Sequence, residues 1–100
     1  MKTYIIRRRS NWADPQELEA AADRSARVGD DEMSDRVRWI RSYVVREDDG
    51  RLGTVCIYQA SDPDAIREHA ERAGMKAEDI VEVTRTVVVR NDPVEEPAPA

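Results

Sequence analysis

The only histidine, His69, and the only cysteine, Cys56, fall in one stretch from Val37 to Met75 that also holds Trp39, Tyr43 and Tyr58. These are the side-chain types that ligate metals, stack on ligands or move protons near neutral pH. A site, if the chain has one, is expected here. Two readings of each residue stand side by side. His69 is a metal or ligand contact, or a histidine at the edge of the core bonded to a backbone carbonyl. Cys56 is a second donor, or a small buried hydrophobe. Trp39 and Tyr43 contact a ligand, or are aromatics of a subunit interface. Spacing favours no particular chemistry. The sequence contains no H-x-x-x-H, no C-x-x-C, no pair of catalytic acids and no glycine-rich phosphate loop. Metal binding is thus weakly signalled by spacing, and hydrolysis hardly at all.

Local sequence signals define the scaffold around these residues. Tyr4, Ile5 and Ile6 begin a first strand. Asp14-Pro15-Gln16-Glu17 starts a helix, with Asp14 as cap, Pro15 at the first helical position and Glu17 placed for a capping box. Leu18, Ala21, Ala22, Ser25 and Val28 give this helix a stripe of small residues suited to close packing, and Gly29 to Glu32 is expected to end or fray it as a solvated acidic loop. Val37 to Val45 and Gly53 to Ala60 form a hairpin around the turn Asp48-Asp49-Gly50. Ser61-Asp62-Pro63-Asp64 starts a second helix. Ile66, Ala70 and Ala73 mark its buried stripe, with His69 on or beside it, and Gly74 and Met75 form its end. Ile80 to Val89 is the last strand. The order β-α-β-β-α-β specifies an α+β, ferredoxin-like domain over residues 1–90, with two helices on one face of a four-stranded antiparallel sheet. Residues 91–100, rich in proline and glutamate, form a tail that is either unordered or a docking peptide.

Side chains alternate across a strand, so hairpin register decides which residues share a face. Pairing Tyr43 with Cys56 gives an aliphatic face of Ile40, Ser42, Val44, Val55 and Ile57, fit for the helices. Trp39, Arg41, Tyr43, Cys56 and Tyr58 then lie on the opposite face. An aromatic face of that kind calls for burial against a twin, so a homodimer of the dimeric α+β barrel type is expected.

Composition removes other classes. Sixteen basic against twenty-one acidic residues leave a net charge of -5, which argues against a nucleic-acid partner. Arg7, Arg8 and Arg9 alternate across a strand and form no single basic patch. No apolar run reaches the ~20 residues of a membrane span, and a single cysteine excludes an internal disulfide. A cytoplasmic protein is expected.

The strings V-R-W-I-R-S-Y-V at 37–44, C-I-Y-Q-A at 56–60 and P-D-A-I-R-E-H-A-E-R-A-G-M at 63–75 resemble a family of small bacterial proteins, long known as a domain of unknown function, that includes a nickel-binding member. The resemblance covers residues 3–85 and implies a dimeric ferredoxin-like fold and, for some members, bound nickel. Imidazole suits Ni(II), with thiolate or oxygen donors completing its shell. On the resemblance, Trp39, Ser42, Tyr43, Cys56, Tyr58 and His69 occupy the family's recurrent positions, with His69 and Cys56 the candidate nickel ligands and Trp39, Arg41, Ser42, Tyr43 and Tyr58 candidate ligand or interface contacts. Three functions compete: a dimeric nickel-type metal-binding protein; a non-metal small-ligand binder or regulatory partner; and a small dimeric-barrel enzyme of oxygenase or cyclase type using His69 with the Tyr43 and Tyr58 hydroxyls. An organic ligand needs ~300 Å3 of enclosed space, whereas a metal needs converging donors and little room.

Overall fold

The computed structural model describes residues 1–94. Its elements are β1 (Lys2–Trp12), α1 (Pro15–Arg27), β2 (Val37–Arg46), β3 (Leu52–Ala60), α2 (Pro63–Ala73) and β4 (Asp79–Val83). All neighbours in the sheet are antiparallel, in the order β2-β3-β1-β4. This is the ferredoxin-like arrangement. One core joins Tyr4 and Ile6 of β1 and Cys56, Tyr58 and Ala60 of β3 to Val28 after α1 and to Ala65, Ile66 and Ala73 of α2, so both helices cover the same sheet face.

Local chemistry sets the ends of the helices. The Asp14 carboxylate accepts from the Glu17 N–H at 2.9 Å, while the Glu17 carboxylate reaches back to the Ala13 N–H at 2.6 Å, so free N–H groups of the first turn are satisfied. Asp62 caps α2 in the same way, accepting from the Ala65 N–H at 2.8 Å. At the other end Gly74 adopts φ 70°, and the N–H groups of Gly74 and Met75 bond back to Glu71 and Ala70. That pairing is a Schellman cap, with Met75 packing on the core. The hairpin loop Asp48-Asp49-Gly50 closes through the Gly50 N–H to the Glu47 carbonyl, with Gly50 at φ 83°.

Three expectations need correction. The acidic stretch does not end α1 in a loop; the helix runs on into a π-helical turn, Val28–Glu32, whose wider ring is closed by the Met33 N–H on the Val28 carbonyl at 3.1 Å. The last strand stops at Val83, not Val89, and Val87, Val88 and Val89 are exposed. Most consequential is the hairpin register. Tyr43 pairs with Val55 and Cys56 with Ser42, a register set from the loop, where Val45 faces Gly53 and the Glu47 N–H bonds the Arg51 carbonyl; a β-bulge at Ile40 then adds a residue to β2 between Trp39, opposite Tyr58, and Arg41, opposite Ile57. The β3 residues are therefore exchanged between faces, with Cys56 and Tyr58 under the helices and Val55 and Ile57 on the other side, while Ser42 and Val44 of β2 keep the helix side expected of them. The tail expected over 91–100 lies outside the described residues from position 95 onward. Within the described part, the Asp92 carboxylate accepts from Arg41 at 2.6 Å and from the Tyr43 hydroxyl at 3.0 Å on the outward face.

Candidate functional site

Tyr58 is the centre of a polar cluster built between sheet and helices. Its ring stacks on Trp39 at a 6.3 Å centroid distance and receives the edge of His69 at 5.4 Å. The Arg8 guanidinium lies 5.8 Å from the ring centroid. The Tyr58 hydroxyl shares a hydrogen bond with Ser25 Oγ at 3.1 Å. Burial pushes the phenol pKa up, with the Arg8 charge and the Ser25 bond working against that rise.

His69 is completely buried, as its place in the α2 stripe requires. Its Nε2 lies 3.0 Å from the Ser25 carbonyl oxygen, and that oxygen can only accept, so the proton sits on Nε2. Nδ1 is left with a free lone pair and no partner. Burial lowers the imidazole pKa; the Ser25 bond opposes the shift and the nearby Arg8 charge adds to it. The ring is therefore held neutral. Cys56 donates to Thr54 Oγ1 at 3.2 Å and its sulfur accepts from Arg8 Nη1, also at 3.2 Å.

Arg8 is the residue that sequence reasoning passed over. The three consecutive arginines meet different fates. Arg7, on the outward face, makes a two-pronged pair with the Glu47 carboxylate at 3.0 Å and also donates to the Thr54 carbonyl. Arg9 pairs with Glu78 and Asp79. Arg8 faces the core at 1% exposure; its Nη1 donates to the Cys56 sulfur, and Nε and Nη2 have no partner among the described residues. A buried charge is normally paired. The signal was available, since Tyr4, Ile6 and Arg8 share parity, but the tripeptide drew attention as a run of charge.

Beside this cluster a cleft of about 310 Å3 opens between α1 and the sheet. Leu18, Ala22 and Ser25 form its helical wall; Arg8, Trp12, Trp39, Ser42, Val44, Thr54, Cys56 and Tyr58 form its sheet wall, and Met75 contributes from beyond α2. Of the small-residue stripe of α1, Ala21 and Ser25 pack closely as expected, while Leu18 and Ala22 are half-buried and border this space. Two irregular strands shape it. The Ile40 bulge turns Trp39 to the helix side that Ser42 already occupies, where the Trp39 indole N–H donates to Ser42 Oγ at 2.8 Å. In β1 the register shifts between Arg8 and Trp12, with Ser10 at φ 54°, which sets Trp12 opposite Leu52.

The structure thus gathers His69, Cys56, Tyr58, Trp39 and Ser42 on one side of the sheet and places Arg41 and Tyr43 on the other. Tyr43 cannot act together with His69, and an enzyme relying on both is not supported by this arrangement. Among the described residues no three side chains drawn from His, Cys, Asp and Glu converge on a point. His69 Nδ1 is the one free donor nitrogen, and the Cys56 sulfur already accepts from a guanidinium, whose positive charge repels a divalent cation. One chain does not offer a closed nickel shell. No helix among the described residues is long and apolar enough to cross a membrane.

Comparison with known proteins gives two matches. The family described as "Nickel responsive protein SCO4226-like" matches residues 4–83. Among solved structures, SCO4226 from Streptomyces coelicolor A3(2) superposes with a TM-score of 0.68 at 22% identity, over 85% of this chain and 99% of that one, a likeness that speaks for the fold. No curated protein matches.

Proposed function

Since the chain belongs to the SCO4226-like nickel-responsive protein family, we propose that it works within such a response as a binding protein, taking a small organic molecule into the cleft under α1. The cleft carries this reading. Its volume of about 310 Å3 reaches the scale of small-molecule sites, roughly 300 Å3 and upward, and both tryptophans of the chain line it. Responsiveness to nickel does not require that the responding protein itself ligate nickel.

Nickel ligation through His69 is the second reading. It is favoured by the unpartnered Nδ1 of a ring that burial holds neutral, the state in which imidazole ligates metals. Completing such a site needs donors brought in by opening of α2 or by a second chain. Calorimetric titration of untagged protein with Ni(II) separates the two: stoichiometric binding abolished in both His69→Ala and Cys56→Ser supports the metal reading, and binding untouched by either substitution removes it.

The functional unit in this proposal is a homodimer in the cytoplasm, the compartment that a single unpaired cysteine suits. Ile40 and Tyr43 of β2 and Val81 of β4 are 52%, 44% and 57% exposed, and a twin pressed on the outward sheet face covers such groups. Trp39, turned to the helix side by the bulge, belongs to the cleft in this arrangement.

A further inference from the structure

We propose that the cleft is a receptor for an organic carboxylate, a monoanion on an apolar, preferentially aromatic body, with Arg8 as its counter-charge; this rests on the reading of the cleft as a ligand site.

The described residues leave only three buried side-chain nitrogen or oxygen atoms without partners: Nε and Nη2 of Arg8, and Nδ1 of His69. A guanidinium cannot shed its charge, so an unpaired one in a core stays costly until an anion arrives. Arg7 and Arg9 show that this chain supplies carboxylates where arginines are only structural. At Arg8 no carboxylate comes from the protein, and Arg8 lies in the cleft wall.

Geometry then selects the anion. Nε and Nη2 form one edge of the guanidinium; both atoms are covered in the ligand-free protein, and once the wall side chains over them give way that edge matches the two oxygens of a carboxylate in parallel N–H···O bonds. Nη1, on the other side, is occupied by the Cys56 sulfur. A phosphate would bring a second charge that no second cation in the wall answers, and the one carboxylate of the lining, Glu19, is exposed on α1 and repels added negative charge. The remaining wall chooses the body. Trp12, Leu18, Ala22, Trp39, Val44 and Met75 offer apolar and aromatic surface, and the volume of about 310 Å3 is on the scale of a small organic molecule.

The test uses a matched pair of probes, 4-ethylbenzoate and 4-ethylbenzamide, which differ in charge and hardly in shape. Each is titrated calorimetrically into the full chain near neutral pH. Wild type is expected to bind the carboxylate ten- to hundredfold more tightly than the amide, the range given by hydrogen bonds to a charged group. Arg8→Met is expected to bind both alike. Arg8→Lys, which keeps the charge but loses the fork, is expected to keep at most a tenth of the wild-type carboxylate affinity and gives the same comparison should Arg8→Met fold poorly. Ala22→Leu, which fills the cleft without touching Arg8, is expected to lose both probes. If wild type binds both probes equally, and Arg8→Met or Arg8→Lys does so too, the carboxylate inference is overturned while the cleft stands as a ligand site. If neither probe binds wild type, or Ala22→Leu binds as wild type does, the reading of the cleft fails and the inference goes with it.

Discussion

Exchanging Arg8 for methionine should make the ligand-free protein more stable, although it removes a fully buried side chain of similar length. The losses are small. One N–H···S contact at 3.2 Å contributes about 1 kcal/mol at most, and the guanidinium over Tyr58 adds about 1–2 kcal/mol. The gain is the removal of an unpaired charge from the core, where the effective desolvation penalty is several kcal/mol per ion. The net expectation is a stabilisation of about 1–3 kcal/mol. For a domain of this size each kcal/mol moves the melting temperature by about 4–8 °C, so a rise of at least about 4 °C is expected. Differential scanning calorimetry at matched protein concentration measures it, since self-association would shift both proteins. The neighbouring Arg7→Met is the control, because there the substitution leaves Glu47 without the arginine that grips it. Its melting temperature should fall, by an amount corresponding to about 1–3 kcal/mol for this partly exposed pair. A fall in Arg8→Met comparable to that in Arg7→Met would refute the reasoning, since Arg8 would then be a structural charge adequately satisfied by the protein.

Further outcomes follow from the same contacts. Because burial sets the folded His69 pKa below its unfolded value near 6.5, the unfolded chain takes up the proton first as pH falls. The His69 contribution to stability is thus complete above that value and is lost progressively below it, with a slope of at most about 1.4 kcal/mol per pH unit; chemical denaturation from mildly acidic to neutral pH should show the slope in wild type and a reduced one in His69→Gln. Gly53→Ala should destabilise by about 1–3 kcal/mol in urea titrations, because a Cβ there meets the Arg8 carbonyl oxygen at 2.5 Å and also the Glu47 carboxylate. Ile40→Asp and Tyr43→Asp should shift light scattering toward the monomer mass, whereas Trp39→Asp should disturb the cleft and leave assembly intact.

Much of the scaffold was legible because local chemistry is written in short strings. Asp14-Pro15 and Asp62-Pro63 announced helix starts, Gly74 announced a helix end, and Asp48-Asp49-Gly50 announced the hairpin loop; the structure puts each in that role. The bulge at Ile40 had no such string. Every residue from Val37 to Val45 is acceptable on either side of a strand, so the pattern alone could not reveal the extra residue that moved Trp39 to the helix side, nor the loop-side register, one residue from the expected pairing, that exchanged the faces of β3. The site was half legible for that reason. His69, Cys56 and Tyr58 were singled out by residue type and do meet, while Arg41 and Tyr43, grouped with them by assumed parity, do not. Trp12 and Arg8 were missed. One depends on a register shift near Ser10, and the other was read as one charge in a run and not as the third member of the Tyr4, Ile6, Arg8 face.

The most direct test of what this protein holds is a two-dimensional 15N–1H NMR spectrum followed through addition of 4-ethylbenzoate and, separately, Ni(II). Trp12 and Trp39 are the only tryptophans and both line the cleft, so their two indole N–H signals report on it without further labelling. The account requires both indole signals to move with the carboxylate, together with the amides of Ala22 and Ser25, while nickel leaves the signals around His69 sharp. Indole signals unmoved by the carboxylate, with paramagnetic broadening centred on His69 at one equivalent of nickel, would contradict it.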